Sequence, residues 1–227
     1  MRIEQYNEDY QIREFQVRSQ NAQTVLAWKF KKASHFLIFM YDCRYDFDLE
    51  RAVELLGREE ISDHKIVNSK SKDQIYAKEN GKFKLFCVRE REFLQGNKTF
   101  IIPSQELRKG IPYELSVYPC FYDSEAQELS IFLQRNKHEN VQYIPVAIHP
   151  DIRYEQKLFS RQVACILTLP HLEDYKEGAI MYHVEGIRTD FPLPAECLGK
   201  ELYINVPGKD TLTVRIRDEY KNYYRKA

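Results

Sequence analysis

The chain has 227 residues, enough for one large domain or for two domains of about 100 residues each. Its 34 basic residues balance 34 acidic residues, so it lacks the basic excess expected of a nucleic-acid-binding protein. Hydrophobic residues make up 43% of the chain, which is enough to build cores and excludes wholesale disorder. No apolar run approaches the roughly 20 residues that a membrane span requires, so no span is predicted.

The composition of the chain and the pattern of its opening segment predict a β protein. Aromatic residues are abundant, with 16 tyrosines and 13 phenylalanines, while glycine occurs only 8 times. Large rings of this kind fill the space between β-sheets. The strands predicted first are 12–17, 25–30 and 36–41. The short polar turn 31–34 predicts that the second and third form a hairpin, with Trp28 on its inward face.

A helix then interrupts the β pattern. Asp48 is a favourable N-cap, Gly57 is a typical helix end, and apolar residues between them recur at helical spacing. This helix belongs to a predicted insertion that spans 42–82. Strand character resumes at four places, namely 83–88, 99–102, 113–121 and 129–133, with a hairpin turn at 123–126 between the last two.

The residues before the third of these strands predict a tyrosine corner. In a two-sheet sandwich, a tyrosine at the start of a core strand turns its hydroxyl back to the upstream backbone. Here Leu107, Gly110 and Tyr113 have the required spacing, with the glycine permitting a sharp bend. Leu115 and Val117 then follow Tyr113 onto one face of the strand.

A polar stretch divides the chain. Residues 134–140 contain no apolar side chain, which predicts a first domain over 1–136 and a second, smaller domain over 141–227. Strands in the second are predicted at 141–148, 163–169, 179–184, 201–206 and 211–216. The last two alternate apolar and polar residues on either side of the turn at 207–210. The predicted fold class is all-β, with two tandem β-sandwich domains.

The first half resembles a fibronectin type III domain. The resemblance is carried by Trp28 on the second strand, Tyr41 at the end of the third, and the corner leading to Tyr113. It departs from that family at Lys109, where proline is common, and in the long insertion. The second half resembles only a generic immunoglobulin-like sandwich. The resemblance implies a spacer, adhesion module or scaffold, although fold alone does not fix function. No Arg-Gly-Asp tripeptide is present to suggest integrin-type adhesion.

The common motifs for nucleotide binding and hydrolysis are absent from the sequence. There is no Gly-x-Gly, no Gly-x-x-x-x-Gly-Lys and no Gly-x-Ser-x-Gly. The acidic residues Glu90 and Glu92 alternate with arginines, which is typical of a charged strand edge. A pairing of Cys43 with His35 lacks an identifiable third group for nucleophilic catalysis.

No metal-binding spacing stands out either. Several candidate ligands lie near one another in the second half, namely His171, Glu173, Asp174 and His183. Exposed loop residues are the simpler interpretation of this set, and His149-Pro150-Asp151 is first a turn signal. We therefore predict no catalytic residues, no metal and no cofactor, and that the protein is not an enzyme.

Two groups of residues are predicted to bind a partner. Between positions 65 and 84 the insertion carries six lysines against two acidic residues, with Lys65, Lys70, Lys72 and Tyr76 as the binding candidates. A solvated loop is the simpler interpretation of this patch. The C-terminal tail joins aromatic and basic side chains at Tyr220, Tyr223, Tyr224 and Arg225. Packing of a terminal strand on its own sheet is the simpler interpretation of the tail.

The five cysteines predict a cytoplasmic protein. Their number is odd, they form no Cys-x-x-Cys pair, and several lie within apolar strand patterns, as expected for buried thiols. The polar start, Met1–Tyr6, lacks the apolar stretch of a secretory signal, with a processed secreted chain as the alternative.

The predicted function is that of a non-catalytic protein–protein interaction or scaffold module, which binds through sheet edges, the insertion and the tail. Carbohydrate binding by exposed aromatic rings is the alternative, and an enzyme with an interdomain cleft is the third. The sequence leaves open the identity of the partner, the arrangement of the domains and the oligomeric state.

Overall fold

The structure, a computed structural model, describes residues 1–20, 23–45, 48–58, 74–75, 83–102, 106–156, 163–169, 175–194, 200–209 and 211–226. Strands and sheets dominate these residues, so the predicted all-β class is confirmed. The chain divides into two compact units: Met1–Leu107 with Tyr113–Ile144, and Arg108–Pro112 with Pro145–Ala227. That these units are separate domains, with the boundary at 136–141, stays a prediction.

The described residues of the first unit form two sheets. The larger sheet contains, in spatial order, β1 (Arg2–Glu4), β9 (Glu128–Phe132), β8 (Tyr113–Asp123), β4 (His35–Asp42), β6 (Phe83–Arg89) and β5 (Gln74–Ile75), and β10 (Val141–Ile144) also pairs with β8. The smaller sheet contains β2 (Ile12–Gln20), β3 (Gln23–Phe30) and β7 (Thr99–Ile102). All of the pairs are antiparallel except that of β1 with β9.

The central strand β4 is buried on both of its faces. On one face, Phe36 lies with its ring centroid 5.2 Å from that of Trp28 and 4.7 Å from that of Phe30, both on β3. The smaller sheet therefore packs on this face through an aromatic layer. On the other face, Leu37 and Phe39 form a core cluster with apolar residues of helix α1 (Leu49–Arg58). Each face of the strand thus has its own covering layer, which explains why β4 is almost continuously apolar.

The helix α1 begins where the sequence predicts. The Asp48 carboxylate accepts hydrogen bonds from the backbone N–H groups of Glu50 at 2.9 Å and Arg51 at 3.3 Å, as an N-cap residue does. Ala52 and Val53 are buried against the larger sheet. In the part of the chain that the structure describes, no helix is both long and apolar enough to cross a membrane.

Two sequence predictions in this unit are wrong. The predicted hairpin between β3 and β4 does not form, because β3 pairs with β2 and β7 whereas β4 pairs with β6 and β8. Glu90 and Glu92 do not lie on a strand edge, because Glu90–Gln95 forms helix α2. This helix buries Phe93, whose ring stacks on Trp28 at a centroid distance of 4.0 Å.

The backbone before β8 is consistent with the predicted tyrosine corner. Gly110 has a φ of 80°, a left-handed conformation that glycine adopts at little cost. Tyr113, Leu115 and Val117 are all buried, as alternation on one face requires. Helix α3 (Lys137–Asn140) is held to this strand by Asn140, whose buried side-chain amide donates to the Val117 carbonyl at 3.1 Å. The strand is therefore fixed on more than one side.

Among the described residues, the second unit contains two three-stranded antiparallel sheets and one parallel pair. The first sheet has the order β12 (Asp151–Gln156), β13 (Val163–Thr168), β16 (Leu202–Val206). The second has the order β15 (Phe191–Pro192), β14 (Ile180–Val184), β17 (Leu212–Ile216), and β11 (Val146–Ile148) pairs with β18 (Tyr224–Lys226). Apolar residues of both sheets share one core, including Cys165, Ile180 and Val206.

A surface ion-pair cluster fixes the start of the chain to the turn after β3. Asp9 pairs with Lys31 at 2.7 Å and with Lys32 at 3.0 Å. Hydrogen bonds from Lys31 and then Lys32 lower the pKa of Asp9 from 3.8 to about 2. Because the folded pKa lies below the unfolded one, the stabilisation is present above about pH 4 and is lost as the pH falls through about 2.

We therefore expect the Asp9 carboxyl carbon to titrate with a midpoint of about 2 in an NMR pH titration of the folded protein. In the variant Lys31→Gln/Lys32→Gln, the midpoint should rise towards the ordinary value of 3.8. A midpoint near 4 in the unmodified protein would contradict the ion-pair geometry.

Candidate functional site

The basic patch predicted in the insertion cannot be placed. Lys65, Lys70, Lys72 and Tyr76 lie outside the described residues. Lys84, which the patch was expected to include, lies within the described residues, on strand β6 of the larger sheet. Its ammonium group pairs with the Glu106 carboxylate at 2.5 Å and donates to the Glu106 carbonyl at 3.0 Å. Lys84 is therefore engaged within the first unit.

The tail residues have two different environments. Tyr224 is buried in the core of the second unit, and its hydroxyl accepts a hydrogen bond from the backbone N–H of Lys176 at 3.1 Å. The terminal strand thus packs on its own unit, as the simpler interpretation of the tail predicts, and partner binding by Tyr224 stays a prediction. Tyr220 and Tyr223 are partly buried against the same core, whereas Arg225 is exposed.

Of the metal-binding candidates that cluster in the second half of the sequence, only His183 lies within the described residues. Among the described residues, no group of three or more histidine, cysteine, aspartate or glutamate side chains is arranged to hold a metal ion. His171, Glu173 and Asp174 lie outside the described residues. His183 is hydrogen-bonded through Nδ1 to the Asp190 carboxylate at 2.8 Å.

The described cysteines are buried. Cys43, Cys87, Cys120 and Cys165 are all buried thiols, as the sequence predicts. Burial raises the pKa of the Cys120 thiol well above its ordinary value, which disfavours the thiolate. Cys43 follows β4 while His35 begins it, so the strand separates them by about 25 Å at 3.3 Å per residue. The two residues therefore do not form a nucleophile–base pair.

The rings on β8 do not form one flat solvent-facing row. Tyr118 and Tyr122 pack against the core cluster next to α1. Phe121 lies on the opposite face of the strand, where its ring meets that of Tyr10 edge to face at 6.4 Å. In the second unit, Tyr203 is the most exposed of the large hydrophobic side chains described, and its hydroxyl donates to the Glu201 carboxylate at 2.6 Å. Among the described residues, the rings of β8 therefore do not provide the flat row on which carbohydrate binding would depend.

The two outer strands of the smaller sheet differ sharply in character. β2 carries a bulge between Arg13 and Gln16, with Glu14 at a φ of 52°. Its exposed side chains include the charged residues Arg13, Glu14 and Arg18. Bulges and charges are the features by which natural sheets discourage pairing at an edge. The β2 edge is therefore protected against another strand.

β7, the other outer strand, carries none of these protections. Its sequence, Thr-Phe-Ile-Ile, is uncharged and rich in β-branched and aromatic residues, and its register with β3 is regular from Thr99 to Ile102. No described strand pairs with its second side, which we call the β7 edge. An uncharged, regular edge of this kind is a template for a further strand.

The backbone at the start of β7 indicates which groups face that edge. The Thr99 N–H donates to the Gly96 carbonyl at 3.2 Å rather than to β3. Because the bonding direction alternates along an antiparallel strand, Ile101 should also direct its N–H and C=O away from β3. Ile101 is thus the residue through which an added strand would form its central hydrogen bonds.

The surface beside the β7 edge is apolar. The Ile101 side chain is 48% exposed and lies opposite the half-buried Val25 on β3. Leu94, on the neighbouring helix α2, is 45% exposed. Arg18 lies opposite Val25 on the far side and is exposed to solvent. An incoming strand would therefore meet backbone polar groups at the edge and apolar side chains on the outer face.

Comparisons with known proteins do not assign the chain to a family. No protein-family model matches it, and no curated protein matches its sequence. A solved structure, the FN1–FN3 domains of chicken CNTN1, aligns with 95% of this chain at 8% identity and a TM-score of 0.22. This chain spans 58% of the length of that structure. Similarity at this level identifies neither family nor function.

Proposed function

We propose that this protein is a non-catalytic protein–protein interaction or scaffold module, and that it binds an extended segment of its partner along the β7 edge. The observation that carries the proposal is the contrast between the two outer strands of the smaller sheet. β2 is bulged and charged, whereas β7 is regular and uncharged and carries the exposed Ile101 side chain. In strand addition, backbone hydrogen bonds supply affinity and alternate side chains supply specificity.

The proposal includes a fibronectin type III-like character for the first unit. Its support is the strand order, since β2, β3 and β7 share one sheet while β4, β8 and β9 share the other. In the Greek-key sandwich, strands A, B and E lie in one sheet and C, F and G in the other. Tyr113 then begins the strand at position F, three residues after Gly110, where the tyrosine corner occurs. Domains of this type serve mainly as interaction modules and spacers.

The test places a charge at the β7 edge. Ile101→Lys introduces an ammonium group at an exposed position, so the fold should be retained while strand addition is disfavoured. Partners are first identified by affinity purification from the native host with quantitative mass spectrometry. Binding of the purified partner to each variant is then measured by calorimetry. We expect Ile101→Lys to weaken that binding by about tenfold or more.

Gln16→Lys is the matched control, because Gln16 is exposed on the same sheet but lies on the protected edge strand β2. It should leave the affinity within about twofold of the unmodified protein. Deletion of residues 58–80 tests the alternative that the insertion carries the partner. Loss of binding on this deletion, with Ile101→Lys unaffected, would assign the interaction to the insertion and refute the role of β7.

A further inference from the structure

A cavity in the second unit lies beside the C-terminal strand β18. Its volume is about 540 Å³, which is within the range of clefts that hold small organic ligands. Its apolar lining comes from β11, β17 and β18, through Ile148, Val214, Ile216 and Tyr224. All four belong to, or pack against, the core of this unit. The apolar part of the cavity is therefore built on regular strands, and a hydrocarbon or aromatic group bound there would lose part of its contact with water.

The polar lining of the same cavity is strongly basic. Four basic residues contribute, namely Arg215, Lys221, Arg225 and Lys226, against the single acidic residue Asp218. Asp218 pairs with Lys221 at 2.6 Å, and this lysine lowers the pKa of the Asp218 carboxyl. The acidic residue is thus ionised and already neutralised by a neighbour.

Two of the four basic residues have no acidic partner among the described residues and can therefore interact with a ligand. Arg215 is not one of them, because it lies 3.7 Å from the Asp190 carboxylate. Arg225 and Lys226 on β18 are exposed, and neither forms an ion pair with any residue that the structure describes. The register of β18 with β11 places Lys226 opposite Ile148, at the apolar lining. An uncompensated positive charge therefore lies next to an apolar cavity.

We propose that this cavity binds a small amphipathic organic anion, with its hydrocarbon part against Ile148, Val214 and Ile216 and its carboxylate at Arg225 and Lys226. Guanidinium and ammonium groups form charge-assisted hydrogen bonds with carboxylates. The apolar lining supplies affinity in proportion to the hydrocarbon area that it removes from water. This site is separate from the β7 edge and does not depend on the function proposed for that edge.

A head-group series on the unmodified protein tests the chemistry. Decanoate, 1-decanol and decyltrimethylammonium share one hydrocarbon chain and differ in charge. We expect decanoate to bind at least about tenfold more tightly than the alcohol and the cation not to bind, as measured by calorimetry and by NMR shifts of residues on β11, β17 and β18. Hexanoate should bind more weakly than decanoate, because less hydrocarbon is buried. Equal binding of decanoate and decanol, or no decanoate binding at millimolar concentration, would overturn the proposal.

Charge removal locates the site. Arg225→Gln/Lys226→Gln should weaken decanoate binding by about tenfold or more and reduce its dependence on salt. Lys200→Gln/Lys209→Gln is the matched control, because both lysines are exposed in the same unit and neither lines the cavity. Thermal unfolding checks that both variants are folded. An unchanged affinity in the first variant, or an equal loss in the control, would overturn the assignment. Ile101→Lys should leave decanoate binding unaffected, which separates this test from that of the β7 edge.

Discussion

Replacing Trp28 by alanine should lower the free energy of unfolding of the first unit by about 3–5 kcal/mol, the usual cost of removing a large buried ring. The Trp28 side chain is 2% exposed. Its ring stacks on Phe93 at 4.0 Å and contacts Phe36 at 5.2 Å, so it joins β3, α2 and β4. Removing it would leave a cavity between the two sheets that the rigid strands cannot close.

Trp28→Phe is the matched control. Among the described residues, the buried indole N–H of Trp28 has no hydrogen-bond acceptor. Phenylalanine therefore keeps much of the apolar area and removes a polar group whose burial is unfavourable. We expect a loss below about 2 kcal/mol. The free energy of unfolding of both variants is measured by urea unfolding followed by circular dichroism, because this signal does not depend on the tryptophan that is replaced. Equal losses for alanine and phenylalanine would show that the ring stack contributes little.

The strands that the sequence predicts best are those with one buried face. Leu202, Ile204 and Val206 alternate with polar residues, and the structure buries Val206 in the core of the second unit and packs the other two against it. The helix at 49–58 could be predicted equally well, since Asp48 provides a cap before an apolar pattern of helical spacing. Local patterns of this kind follow from the side-chain geometry of the strand or helix itself.

The pairing between strands was harder to predict from the sequence, because it depends on residues that are distant along the chain. The turn at 31–34 suggests a hairpin, yet Phe36 to Met40 are buried on both faces of β4 and require layers on either side. The chain therefore crosses from one sheet to the other at this turn. The three-residue strand Arg2–Glu4 was missed because it is defined by its pairing with Ser130–Phe132, far along the chain.

The environments of the candidate site residues also depend on residues far along the chain, so the sequence alone could not predict them. The tail composition alone cannot distinguish a buried tyrosine from an exposed one, and Tyr224 is buried only because β18 pairs with β11. Glu90 and Glu92 alternate with arginines as strand residues do, but the burial of Phe93 against Trp28 favours a helix. Whether β7 is an edge strand is a property of the whole sheet, so Ile101 carries no local signal that would have identified it.

The second large effect is expected at the pair between Lys84 and Glu106. The Glu106 side chain is 8% exposed and that of Lys84 is 25% exposed, so the pair is shielded from water. Lys84→Met removes the cation while leaving the carboxylate in place, which typically costs about 3–5 kcal/mol for a buried pair. The lysine also donates to the Glu106 carbonyl, so a second hydrogen bond is lost.

A double-mutant cycle separates the charge effect from packing. Lys84→Met/Glu106→Gln removes both charges, and we expect it to recover at least about 1 kcal/mol relative to Lys84→Met alone. Lys29→Met is the matched control, because Lys29 pairs with Glu14 at 2.8 Å but both side chains are more than half exposed. Exposed pairs contribute about 0–1 kcal/mol, so this variant should unfold at nearly the same urea concentration as the unmodified protein. If Lys84→Met were no more destabilising than Lys29→Met, the pair with Glu106 would not stabilise the start of β6.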